Sequence, residues 1–286
     1  QTIPYEEAKE NVAKALAPMG KAYTDILREG YENGWIDVVA NANKRSGAYS
    51  WGAYGTHPYV LLNQQDDLDS MFTLAHEMGH AIHTYYSDKT QPYRYSGYLI
   101  FVAEVASTCN ECLLNHYLLE HETEAKNRNY ILNHYLENFR TTLFRQTMFA
   151  EFEKIVHEKT ALGESLTKDE LNKIYHDLNV RYYGPDVVVD NEIDYEWMRI
   201  PHFYTAFYVY QYATGFSAAV AFSKKILEEG QPAVDRYVKE FLSGGCSKDP
   251  IDLLAAAGVD MSTPHPVEDA LSVFAKYLDE FEKQMA

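Results

Sequence analysis

The stretch His76-Glu77-Met78-Gly79-His80 lies inside an uninterrupted helix-favouring run, Ser70 to Tyr85. At ~3.6 residues per turn, positions four apart fall on one helical face, so both imidazoles can reach a single ion. Two neutral histidines, a third protein ligand and one position left for water make a catalytic zinc site, in which the ion lowers the pKa of that water. Glu77, beside the first ligand, is then the base that takes the proton. Met71, Leu74, Ala75, Met78, Ala81 and Ile82 give the helix an apolar lining, and Ser70 or Asp69 is available as its cap. Gly79 costs a helix about 1 kcal/mol relative to alanine, a cost that a close approach by another segment would explain. His83 is read as a neighbour of the site rather than a ligand. The longer metalloprotease pattern with a third histidine fails, because that position is Tyr86.

The missing ligand should be a carboxylate on a second helix. After a turn-prone stretch from Ser87 to Gly97, Glu104 is flanked on both sides by apolar and small residues, a costly setting for an ionised group unless a cation or strong hydrogen bonds compensate it. Glu111 is the competing choice, and the apolar setting favours Glu104. Thr108 and Glu111, one and two turns on, are candidates to hydrogen-bond the ligands. Cys109 and Cys112 share this helix with a spacing that raises a redox or second-metal reading. Against it, no second such pair exists among the three cysteines, and small buried thiols are common in helices.

His76-Glu-Met-Gly-His80, Phe101-Val-Ala-Glu104-Val-Ala-Ser-Thr and Pro201-His-Phe-Tyr-Thr-Ala-Phe-Tyr-Val-Tyr-Gln-Tyr-Ala-Thr-Gly215 together resemble the oligoendopeptidase F group of zinc peptidases, relatives of thimet oligopeptidase. The likeness runs through essentially the whole chain. It implies one Zn²⁺ per chain on His76, His80 and Glu104, Glu77 as general base, and a zincin-type helical catalytic domain. Family enzymes are about twice this length, so the chain looks like the carboxy-terminal catalytic half, expected as one domain over residues 1–286. The amino-terminal helical portion, the other wall of a deep channel, is absent.

The helical spacing predicts helices at Tyr5–Leu16, Lys21–Glu32, 130–160, 167–182, 206–229, 233–242, 251–257 and 266–285, with Thr167-Lys-Asp-Glu170 as a capping box. Tyr59–Asn63 reads as a short strand just ahead of the zinc helix, suggesting a sheet edge able to pair with an extended peptide. The expected fold is therefore mainly α with one small sheet. Tyr204, Tyr208 and Tyr212 recur every fourth residue, a phenolic stripe on one helical face. Such stripes usually pack a core. Amide hydrolysis, however, needs donors for the oxyanion, and His202 with Tyr208 and Tyr212 are the candidates. The resemblance supports a His followed by tyrosines there, although the thimet-type tyrosine five residues after the His is Phe207 here.

A formal charge of −17 argues against nucleic-acid or anionic-membrane partners. No apolar stretch approaches the ~20 residues that span a bilayer, and no signal peptide opens the chain, so a cytoplasmic setting is expected. The partner expected is a short unfolded peptide; the sequence leaves the oligomeric state open. Two other readings stay open: a catalytically weak peptide-binding fragment, and a metallocarboxypeptidase using Arg94, Arg181 or Arg199 for the substrate carboxylate.

Overall fold

The computed structural model describes residues 2–285. In chain order the helices are α1 (Tyr5–Ala15), α2 (Lys21–Glu32), α3 (Leu68–Thr90), α4 (Tyr93–Ser96), α5 (Ile100–His121), α6 (Ala125–Asn138), α7 (Arg145–Ala161), α8 (Lys168–Tyr183), α9 (Tyr210–Glu229), α10 (Gln231–Arg236), α11 (Pro250–Ala256) and α12 (His265–Met285). Three short strands, β1 (Ile36–Asp37), β2 (Tyr49–Trp51) and β3 (Tyr59–Leu61), form one sheet in the order β1-β3-β2. The fold is mainly α with one small sheet. No helix among the described residues is long and apolar enough to cross a membrane.

The chain forms two compact units, one of residues 1–136 with 215–286 and the other of residues 137–214. In the first, α3 packs along α5, and α1 touches both. Met71, Leu74, Ala75, Met78, Ala81 and Ile82 are all buried, as the apolar lining of the helix predicts. The cap is Asp67, whose carboxylate accepts the Ser70 N–H at 2.8 Å, so α3 starts earlier than Ser70. β3, the strand ahead of α3, is the middle strand: it pairs in parallel with β1 and antiparallel with β2. The sheet edge expected there is supplied by β2 instead.

The second unit is organised around Met148, Phe149, Phe152, Tyr175, Leu178, Ile200 and Val209. Its helix α8 opens on the anticipated box: the Glu170 N–H reaches the Thr167 hydroxyl, and the Thr167 N–H donates to the Glu170 carboxylate at 2.8 Å. One expectation fails. Residues 206–209 are not helical: Phe207 has φ +58°, and its N–H donates to the buried Glu153 carboxylate at 2.6 Å. That long-range acceptor offers the backbone a partner no helix could give, and α9 starts only at Tyr210.

Candidate metal centre

Gly79 sets the spacing of the two helices that make the site. A Cβ there would lie 2.6 Å from Ser107 Cα and 2.8 Å from the Ala106 carbonyl oxygen, so the backbones of α3 and α5 meet where only glycine fits. Buried polar bonds fix their register. The Asn110 side-chain amide donates to the Ala75 carbonyl at 3.1 Å, and the Tyr23 hydroxyl donates to the Asn110 oxygen at 2.8 Å.

With that register, His76 Nε2 and His80 Nε2 lie 3.2 Å apart, and Glu104 Oε2 lies 3.2 Å from the first and 3.3 Å from the second. Three donor atoms thus form a nearly equilateral triangle. Tetrahedral coordination at 2.0–2.1 Å separates adjacent ligand atoms by ~3.3 Å, so this triangle has the size of one face of a zinc tetrahedron. Among the described residues, these three are the group of His, Cys, Asp and Glu side chains that could hold an ion. The Cys109 and Cys112 thiols are buried and form no disulfide, and among the described residues no further donors gather around them into a second site.

Glu111, the rival ligand in sequence, has another task. Its Oε1 lies 2.5 Å from His76 Nδ1. An ionised carboxylate only accepts, so Nδ1 carries a proton, which leaves Nε2 as the nitrogen that would face an ion shared with His80 and Glu104. Ser107, not singled out by the sequence, donates its hydroxyl to Glu104 Oε2 at 3.1 Å. Burial opposes charge on His76, yet the Glu104 and Glu111 carboxylates hold its pKa well above the ordinary value. Burial likewise opposes the charge on Glu104, but His76 and His80 hold its carboxyl far below the usual glutamate range.

Glu77 is only 6% exposed, and its Oε2 has no hydrogen-bond partner. Burial raises its pKa, against the pull of His76 and His80. A buried carboxylate oxygen without a partner, next to three converging donors, fits an ion and its water better than a packed core. His83 is a packing residue, as anticipated. It is fully buried, stacked on Tyr98 at 3.8 Å, and burial, then His80, lowers its pKa to about 3.

The triad lines a groove of about 1230 Å³. One wall is β2, held close to α3 because Gly52 leaves room for the Thr84 methyl, which a Cβ would meet at 2.6 Å. Of the three arginines considered for a substrate carboxylate, Arg94 lines this groove with its guanidinium 4.5 Å above the Tyr95 ring. Arg181 and Arg199 are engaged by Glu151 and Glu196.

His202, Tyr208 and Tyr212 come together in the second unit, though not as a helical stripe. The Tyr212 hydroxyl lies 3.3 Å from His202 Nε2; Tyr208 stacks on His202 at 5.4 Å and meets Tyr212 edge-on at 5.5 Å. Tyr204 sits apart from any such face, 85% exposed in a short 3₁₀ turn. Ile200 and Val209, both buried, pin the two ends of the segment that carries His202 and Tyr208.

The family model for peptidase family M3 matches residues 5–273. Oligopeptidase PepF of Bacillus subtilis (strain 168) is 57% identical over 281 residues, 98% of this chain and 42% of that protein. The chromosomal oligoendopeptidase F of Lactococcus lactis subsp. cremoris is 46% identical over 98% of the chain and 46% of its own length. The crystal structure of oligoendopeptidase-F from Enterococcus faecium superposes with a TM-score of 0.76 at 41% identity, covering 98% of this chain and 43% of that one. The chain spans less than half the length of each.

Proposed function

The chain belongs to peptidase family M3, and we propose that it carries the catalytic centre of a zinc-dependent oligoendopeptidase that hydrolyses short unfolded peptides. The observation that carries this reading is the triangle of His76, His80 and Glu104 donors with the unpartnered Glu77 oxygen beside it. Zn²⁺ held by His76, His80 and Glu104 would supply Lewis acidity to a water and to the peptide carbonyl. Glu77 takes the proton from the attacking water and returns it to the leaving nitrogen, a role its buried, unpartnered oxygen beside the triad suits. Glu111 keeps the His76 ring in one tautomer, and Ser107 steadies Glu104. For His202, Tyr208 and Tyr212, the proposed role is donation to the carbonyl oxygen as it gains charge. Their support is chemical type and family resemblance.

The test is cleavage of a quenched fluorescent oligopeptide by this chain, with chelator and after restoring zinc, followed by mass analysis of the product ends. Chelator-sensitive, zinc-restored internal cleavage is the expected result. Silence from folded, zinc-loaded protein would leave a peptide-binding fragment as the reading. Stepwise loss of carboxy-terminal residues would turn attention to Arg94 and a carboxypeptidase.

A further inference from the structure

Along α3, four of the residues that line the groove recur every fourth position: His76, His80, Thr84 and Asp88. The two histidines hold donor atoms, and the Thr84 hydroxyl is engaged 2.9 Å from that of Tyr98. The Asp88 carboxylate accepts a hydrogen bond from the Ser96 side chain, a neutral partner that leaves its charge uncompensated. It is half-buried, and among the described residues no Lys, Arg or His forms an ion pair with it. Arg94, the basic residue nearest in sequence on the same groove, faces the Tyr95 ring.

The same groove also carries aromatic rings. Trp51, Tyr54 and Tyr93 are 75%, 44% and 77% exposed, and the two tyrosines meet edge-on at 5.5 Å. Exposed rings in a groove that also holds a carboxylate suit a long aliphatic stem with a cationic head, whose methylenes lie on the rings and whose charge reaches the acid. The net charge of −17 attracts such groups at long range. From His80 to Asp88 the helix rises ~12 Å, which an extended peptide covers in about three or four residues.

We propose that Asp88 is a specificity-determining residue, which holds a peptide cation three or four residues from the scissile bond. This rests on the reading of the groove as the peptide site. The cation is a lysine or arginine side chain, or the free terminal ammonium of a short peptide.

The experiment is calorimetric titration of the zinc-loaded Glu77→Gln chain with nonapeptides of alanine and glutamine. One lysine, or norleucine in its place, is walked along the peptide, and each peptide is made with a free and with an acetylated amino terminus. Lysine at one position should tighten binding about fivefold over norleucine, the upper scale for an ion pair open to solvent. A terminal-ammonium source would appear instead as the same gain of free over acetylated peptide. In Asp88→Asn the two members of each pair should bind alike to within twofold, whereas Asp88→Glu should keep the preference; thermal unfolding checks that both variants fold. Equal binding of all pairs by the parent chain, no binding of any peptide, or a preference that survives Asp88→Asn overturns the proposal. A preference for a free over an amidated carboxy terminus in place of the cation would overturn it too and assign that end to Arg94. Cleavage by the unsubstituted chain, followed separately by mass, reports on the peptidase reading, so the two failures are distinguishable.

Discussion

The metal triad and the His202 cluster put similar side chains to work on very different supports. His76, His80 and Glu104 stand on two long helices, with Gly79 in backbone contact with the facing helix and Asn110 bonded across to Ala75. Each donor has only the freedom its rotamer leaves it, and Glu111 and Ser107 remove part of that. His202 and Tyr208 ride on a segment of one 3₁₀ turn and irregular backbone anchored at Ile200 and Val209, with Phe207 in a left-handed conformation. A helix pair holds geometry along its whole length; a pinned loop holds it at its ends. The first suits donors that must stay in a fixed polygon; whether the second can hold donors as firmly is what the variants below ask.

The strongest blow to the helix-built centre is Glu77→Gln. It should leave zinc content intact and lower kcat by ~10²- to 10⁴-fold, the range for losing a positioned proton acceptor. Near-normal turnover of zinc-replete variant would remove Glu77 from the chemistry. On the loop side, Tyr208→Phe should lower kcat by about 10²-fold with little change in KM, the low end for an oxyanion donor. If Tyr208→Phe and Tyr212→Phe both behave as the parent chain, that cluster is scaffold, and the contrast between the two supports has no catalytic meaning.

Gly79→Ala asks whether the helices really set the triangle. The added methyl meets backbone, which cannot rotate away, so the variant should lose about 2 kcal/mol of stability in denaturant titration. Zinc affinity should fall with it; unchanged affinity would mean that the ligands are held by something other than helix spacing. Glu111→Gln is milder, weakening zinc binding by ~10-fold in a competition titration while the fold stays intact. A complete loss of the ion would instead make Glu111 a ligand.

The smallest effect is a pH dependence in the second unit. Burial opposes the Glu196 charge, but Tyr175 at 2.6 Å and Arg145 at 2.6 Å, with Arg199, bring its pKa below the ordinary 4.5. A folded-state pKa below the unfolded one contributes stability that is complete above about 4.5 and lost as pH falls through the folded value. The melting temperature should therefore fall less steeply below pH 4.5 in Glu196→Gln than in the parent chain. Parallel curves would show that this buried acid is not what acid attacks first.

What could be read in the sequence follows the same division. The two histidines were legible because helical periodicity turns spacing along the chain into position in space, and Glu104 and Gly79 because a charge in an apolar run and a glycine inside a helix each carry a cost that a neighbouring element must explain. The capping box at Thr167 was legible for the same local reason. Phe207 was not: its partner, Glu153, lies 54 residues earlier, and nothing in an aromatic run of helical spacing announces a distant acceptor. Glu111 was seen, but whether it would ligate or orient depended on which way the His76 ring turned. Asp67 in place of Ser70 or Asp69, and β2 in place of β3 as the edge, were near misses of the kind that short elements invite.

The backbone contact at Gly79 also has a consequence in time. Water has no way between two chains that touch at Cα, and opening that seam means separating α3 from α5 along much of their buried faces. In deuterium exchange, the amides of residues 75–83 and 105–110 should be among the last to be labelled, well after those of the segment 201–208. Any motion that opens the groove must then take place around this seam while the seam itself stays shut.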